Sequence, residues 1–308
     1  MAKNKNVLIK HRDLWGWVFS AQTVIAILVT LVYPLTYAVI LSLTDIRFSV
    51  NGFDFLNLKN YGFKNYVWLF KESAFFKDLW ISVVFAVVST TVQTALGFLL
   101  AFMLYFMKGG IQKFFKTALY LPVILPTAVI SSMWMIILAG DEFGVLNVFL
   151  GLTEPPFQWL SNKNVAFCAI VVINTWRYYG ITMIIYLVNM SAVPKEVIES
   201  AEVEGANKGQ IMFKIIVPLV MSATSLNIIL SMIGGIQSFD LFYLFQVNGN
   251  LTLDLTPVGV LIFKTGLGSG NLRNTYIARS VTMSIVLTVI IAVVTILINK
   301  AFTMREDK

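Results

Sequence analysis

Cysteine and histidine are almost missing from this chain of 308 residues, with one of each, Cys168 and His11. A lone cysteine inside an apolar run excludes an intrachain disulfide framework, a thiolate zinc cluster and a CxxC redox site. A lone histidine in a basic N-terminal tail excludes histidine-built metal centres and Ser/His/Asp catalysis. Charge is scarce as well: 13% of residues are Asp, Glu, Lys or Arg, against about 25% in a typical soluble domain. No GxxxxGK[ST] sequence occurs, so the chain does not hold a nucleotide in the P-loop manner. An ordinary cytosolic enzyme is therefore excluded, and what remains is binding and movement, with any energy supplied by another polypeptide.

What is abundant is apolar. Hydrophobic residues make up 57% of the chain, and the mean hydropathy is +0.78. The net charge of +7 is spread in short groups between apolar segments, not gathered on one face as nucleic-acid binding requires, so no nucleic-acid partner is expected. A helix needs about 20 apolar residues to cross ~30 Å of hydrocarbon. Six runs meet that requirement: Trp15 to Leu43, Leu79 to Met107, Thr117 to Ala139, Val165 to Met190, Pro218 to Val247 and Tyr276 to Ile298. The first is too long for a signal-peptide core, lacks a small-residue cleavage site and is expected to be retained. The expected fold is an all-α polytopic membrane protein with six transmembrane helices: a basic tail over 1–14, a single six-span domain over 15–298 and a second tail over 299–308.

Orientation follows from Lys and Arg between the runs. With both termini in the cytoplasm, the inner segments carry 13 such residues in 60 positions and the outer segments 8 in 88. The twofold excess in density predicts a multi-pass protein with both ends inside. Of the outer segments, the one around Tyr61, Tyr66 and Trp68 reads as a membrane-hugging loop or as a short interfacial helix with its rings at headgroup level.

One inner segment, residues 191–217, is too long and too regular for a turn. Ser191 and Pro194 suit helix entry, Glu196 and Glu199 fall near the positive helix end, and Val193, Val197, Ile198 and Ala201 supply an apolar side. Gly205 suits a left-handed stop, after which the chain restarts through Asn207 toward Ile211, Phe213 and Ile216, and Pro218 opens the fifth span. Such a helix–glycine–helix element either docks in a cleft of another protein or lies as an amphipathic re-entry helix with no partner.

Polar groups in hydrocarbon cost roughly 2.5–3.5 kcal/mol when charged, so they mark a partner or a wet cavity. The fourth span holds Asn174, Trp176, Arg177, Tyr178 and Tyr179. The fifth holds Asn227, Gln237, Asp240 and Tyr243 beside Gly234 and Gly235. Gln237 and Asp240, three apart, are expected on one helix side. These groups suit a hydroxyl-rich solute, or else Arg177 and Asp240 form a structural pair within aromatic packing. Arg279 is expected to snorkel to the outer headgroups.

The loop carries Glu199, Ser200, Ala201, Gly205, Ala206, Ile215 and Pro218, and in this it resembles the EAA loop of inner-membrane permease subunits of ATP-binding cassette importers. Further segments are similar to the carbohydrate branch, related to maltose and glycerol-phosphate permeases: Tyr33–Pro34, Leu41 to Asp45, Lys64 to Tyr66, Phe143 to Asn147 and Gln237 to Asp240. Ser200 replaces the usual alanine and Glu204 the usual aspartate, Asn248 to Asn250 stands for a Gly-Gly-Pro stretch, and Arg279 for a small residue.

The resemblance implies a type I importer permease in a bacterial inner membrane, with Glu199, Ala201, Glu202, Gly205, Ala206 and Pro218 coupling it to ATPases. It implies two ABC ATPase subunits that hold ATP and Mg, a second permease subunit forming a heterodimer, an extracellular or periplasmic solute-binding protein, surrounding membrane lipid, and no cofactor in this chain. It implies a sugar path along Trp176, Arg177, Tyr178, Gly235, Gln237, Phe239 and Asp240. The alternatives are an anionic solute such as a glycerol phosphodiester or acidic glycan, and a secondary transporter, which would show inverted repeats with broken spans.

Overall fold

The computed structural model describes residue 17 and residues 20–46, 59–72, 74–248, 251–268 and 275–306. The helices are α1 (Ser20–Ser42), α2 (Lys64–Glu72), α3 (Phe75–Tyr105), α4 (Gly109–Ile124), α5 (Thr127–Ile137), α6 (Val145–Leu150), α7 (Lys163–Ser191) and α8 (Lys195–Val203). Then come α9 (208–219), α10 (Met221–Ile236), α11 (Asp240–Asn248), α12 (Val258–Leu267) and α13 (Ile277–Glu306). Among the described residues no strand exceeds an isolated bridge. Among the described residues, five helical segments are long and apolar enough to span a membrane, α1, α3, α7, the pair α10 and α11, and α13, and the bent pair α4 and α5 makes up to six.

The third apolar run is not a straight span. Its two helices meet at 95°, and the cause is local: Leu125, preceding Pro126, takes the extended conformation (φ −69°, ψ 135°) that the proline ring imposes on its neighbour. Pro126 has no N–H to continue the ladder and instead stands before the first turn of α5. The fifth run is also interrupted, at Gln237–Phe239 between α10 and α11. Gln237 caps one helix and Asp240 begins the next, so the two do not share one helix face as their spacing suggests.

The described residues form two compact units. The first draws on Met1–Ser73 and Ile262–Leu287. Here α1 carries a π-helical turn, Leu28–Val32, and ends at Ser42, where Leu41 and Ile46 pack with Ala278. Of the Tyr61–Trp68 stretch, Tyr66 and Trp68 lie on a helix, Lys64–Glu72, and Tyr61 lies in the turn before it. Asn65 Nδ2 donates to Ser42 O (2.8 Å) and Thr44 O (2.7 Å), and the Tyr66 hydroxyl shares a 2.9 Å bond with Ser42 Oγ. These bonds occupy the carbonyls of Ser42, the last residue of α1, and of Thr44 just beyond it, and the Ser42 carbonyl also accepts from Thr282 Oγ1 at 3.4 Å.

The second unit draws on Ala74–Leu261 and Thr288–Lys308. Its core gathers Phe85 of α3, Ile130 of α5, Ala166, Ile170 and Ile173 of α7, and Leu241, Phe242 and Phe245 of α11. Phe85 meets Phe242 edge to face at 4.9 Å. Gly235 of α10 lets the helix approach α3: a Cβ there would lie 2.7 Å from Ala86 Cα. In the α6 loop Asn147 is fully buried. It donates to Ala139, Asp141 and Phe157 carbonyls and accepts from Trp159 Nε1 at 2.8 Å, so it holds the loop together.

Candidate functional site

The loop between α7 and α10 is built by helix-end chemistry. Ser191 still belongs to α7, where its Oγ donates to Leu187 O at 2.7 Å, so it does not cap α8. Pro194 stands at the α8 N-terminus without a side-chain cap. The C-terminus of α8 closes on Gly205, whose φ of +86° lies in the left-handed region. Gly205 N–H donates to Glu202 O (3.0 Å) and Ala206 N–H to Ala201 O (2.9 Å), the paired bonds of a Schellman turn. The alanines at 201 and 206 are half-buried where the turn closes on the core.

The chain restarts at once. Asn207 Oδ1 accepts from Gln210 N–H (2.9 Å) and Gln210 Oε1 from Asn207 N–H (2.8 Å), a reciprocal capping box. Helix α9 then passes from Lys208–Gln210 into a π-helical segment, Ile211–Ile216, and on through Val217–Leu219. Pro218 thus sits within a helix already under way, and the span proper begins at Met221.

Ile198, Ile211 and Ile216 are buried together with Leu104 of α3 and Met190 of α7. Facing away are Glu196, Glu199, Glu202 and Glu204, all exposed, with Val197 42% and Val203 89% exposed. Val197, expected on the apolar side, points outward, and Phe213 of α9 is exposed as well. The loop therefore offers an acidic outer surface with uncovered apolar side chains.

A cavity of about 510 Å³ opens between α3, α7 and α10. Tyr178, Gly235, Gln237, Phe239 and Asp240 line it, with Asn174, Asn227 and Gly234. Trp176 and Arg177 do not. Trp176 turns into the core against Trp134 at 5.9 Å, and Arg177 lies behind the wall with its side chain 12% exposed.

Arg177 Nη1 meets Asp240 Oδ2 at 3.3 Å, and Thr127 Oγ1 donates to the same oxygen at 2.5 Å. Asp240 Oδ1 accepts from Leu241 N–H at 2.9 Å. The bend between α4 and α5, the middle of α7 and the start of α11 thus converge on one carboxylate. Phe239 and Tyr243 stack at 5.2 Å beside it.

Sequence reasoning missed Gln93, whose Nε2 donates to Thr182 Oγ1 (2.9 Å) and Ser231 Oγ (3.0 Å), joining α3, α7 and α10 at the cavity wall. It also missed Thr127. Both are polar residues inside apolar runs, the criterion that picked out Arg177 and Asp240. A second cavity of about 500 Å³ is bounded mostly by apolar side chains such as Val87, Phe98 and Ile228, with Thr90, Thr91, Thr94, Tyr186 and Thr224 also in its wall. Among the described residues no group of three His, Cys, Asp or Glu is placed to hold a metal ion.

The family described as "Binding-protein-dependent transport system inner membrane component" matches residues 93–304. The arabinooligosaccharide transport permease AraP of Bacillus subtilis is 28% identical over 91% of this chain and 86% of its own length. The lactose transport permease LacF of Rhizobium radiobacter is 27% identical over 82% and 85%. A chain of the bacterial alginate ABC transporter, solved with an alginate pentasaccharide-bound periplasmic protein, superposes with a TM-score of 0.78 over 96% of both chains at 17% identity. That likeness shows the fold.

Proposed function

The chain belongs to the binding-protein-dependent transport system inner membrane components, and on that premise we propose that it forms half of the path of an ATP-driven sugar or oligosaccharide importer working by alternating access. Two sugar permeases resemble it along most of its length, which supports the choice of cargo. The cavity wall favours an uncharged, hydroxyl-rich solute over an acidic one. Its ionic group is the Asp240 carboxylate, its other polar groups are the amides of Gln93, Asn174, Asn227 and Gln237 and the hydroxyls of Tyr178, Ser231 and Ser238, and Arg177 is held behind the wall. Family membership leaves the secondary-transporter reading without support.

The observation that carries coupling is the loop. A rigid Schellman turn and capping box present α8 outward with exposed Glu199, Glu202 and Val203, a shape suited to a cleft on an ATPase subunit. Ala201, Ala206 and Pro218 shape the element; Gly205 permits its reversal. A partner ATPase pair binding ATP and Mg would push this element and rock the spans. The assembly also requires a second permease subunit and an extracellular solute-binding protein, and both termini lie in the cytoplasm.

The test is purification in mild detergent with identification of what comes with the chain, followed by reconstitution. ATPase activity is expected to rise with a sugar-loaded binding protein. An isolated chain that accumulates solute without an ATPase would overturn the proposal.

A further inference from the structure

We propose that the end of the molecule where α1 stops and α13 begins carries a phospholipid headgroup site, and that its headgroup is phosphoethanolamine. Arg279 is the third residue of α13, so its guanidinium stands at the membrane–water boundary of the last span. Two aromatic rings lie over it, Trp68 at 4.3 Å and Tyr276 at 4.4 Å. No acidic side chain among the described residues pairs with it, which leaves its N–H donors for a ligand. A stacked guanidinium with free donors suits a phosphate diester, which accepts two parallel bonds.

Lys64 Nζ lies 4.8 Å from the Tyr61 ring centroid, and Tyr61, Asn65, Tyr276, Arg279 and Asp45 line one notch. The depth is fixed by chemistry already described: Asn65 ties α2 to the carbonyls at the end of α1, and tyrosine and tryptophan favour that interface. Val67 and Phe70 of the same helix are exposed by 51 and 60%, and Phe63 in the turn just before it by 73%, together an apolar surface along which an acyl chain lies.

Asp45 decides the headgroup. It lines the same notch as Arg279, and its carboxylate accepts N–H bonds from a primary ammonium. Phosphoethanolamine carries both a phosphate for Arg279 and an ammonium for Asp45, whereas choline has no N–H to give.

The assembled transporter, purified in mild detergent, is incubated with phosphatidylethanolamine, phosphatidylcholine or phosphatidylglycerol of identical acyl chains, and retained lipid is counted by native mass spectrometry. Phosphatidylethanolamine is expected to be retained preferentially. Arg279→Gln should lower its retention about tenfold, the loss of one charge-assisted bond, with Arg279→Lys between the two. Asp45→Asn should erase the preference over phosphatidylcholine, Trp68→Phe should keep it, and millimolar inorganic phosphate should not displace the lipid. Thermal midpoints establish that each variant is assembled; if Arg279→Gln is not, the Lys and Asn variants carry the comparison. Equal retention of the ethanolamine and choline lipids, stronger retention of phosphatidylglycerol, displacement by phosphate, or unchanged retention in Arg279→Gln or Asp45→Asn would each overturn the proposal.

Discussion

Removing the two charges at Asp240 and Arg177 one at a time is expected to have unequal effects. At 3.3 Å and an effective dielectric constant of about 20, their gross attraction is ~5 kcal/mol, but Asp240 is 49% exposed and solvent screens it. The net coupling therefore falls between the ~0.2–1 kcal/mol of exposed pairs and the ~3–5 kcal/mol of breaking buried ones; about 2 kcal/mol is expected. In Arg177→Gln the carboxylate keeps Thr127, the Leu241 N–H and water, so stability should fall by less than ~1 kcal/mol. In Asp240→Asn a guanidinium 12% exposed, with its Nε already lacking an acceptor, loses its counter-charge, and the full ~2 kcal/mol should be lost. The double variant should regain most of that stability. The assay is a thermal-unfolding cycle on the assembled complex in detergent, with uptake measured at matched membrane abundance. Equal destabilisation by the two single changes, or a double variant no more stable than Asp240→Asn, would refute the reasoning. Stability restored without uptake would identify Asp240 as a solute contact, while full recovery of uptake would remove both residues from the path.

At Gly205 an added Cβ meets nothing within 4 Å, so Gly205→Val acts through the backbone alone, at ~1–2 kcal/mol or more; uptake and stimulated ATPase activity should fall together while Gly205→Asn, tolerant of the left-handed region, retains both. Gly235→Ala drives a Cβ to within 2.7 Å of Ala86 and should cost about 1–3 kcal/mol in overpacking, read as a lower thermal midpoint. The adjacent Gly234→Ala, with open space around it, should leave the midpoint unchanged; equal losses would disprove the close approach. In a Cys168→Ser background, cysteines at Asn207 and Ser161 should react with an impermeant thiol reagent from opposite sides of the membrane, and labelling from one side alone would rule out the proposed topology.

Much of this was legible because membranes and helix ends impose strict local rules. Spans follow from the length of apolar runs, and the reversal at Gly205 from the conformational freedom of glycine, confirmed by its positive φ. The bend at Leu125–Pro126 was also written locally, yet the run across Pro122 and Pro126 was apolar throughout, and hydropathy counts composition without backbone geometry. The split at Gln237–Phe239 concealed itself the same way. Side-chain direction was the larger loss. Trp176, Arg177 and Tyr178 are consecutive, but only Tyr178 reaches the cavity, because facing in a helix buried on several sides is set by neighbours distant in sequence. Asn250, near the end of the fifth run, lies outside the described residues.

The π-helical segment Ile211–Ile216 acts as a phase setting. Each residue of an α-helix advances about 100°, so the one extra residue held in a widened turn swings everything after it by that amount. Asn227, Ser231 and Gly235, spaced by four, form a single row that reaches the cavity, and they arrive there with the extra residue already counted between them and α8. The number of residues from 211 to 216 consequently matters more than their identity. Exchanging one apolar side chain for another leaves the row aimed inward, whereas deleting a residue lets the segment relax to ordinary α-helix and turns the row away from Gln93 and Tyr178, with the loop and the span each intact and out of step.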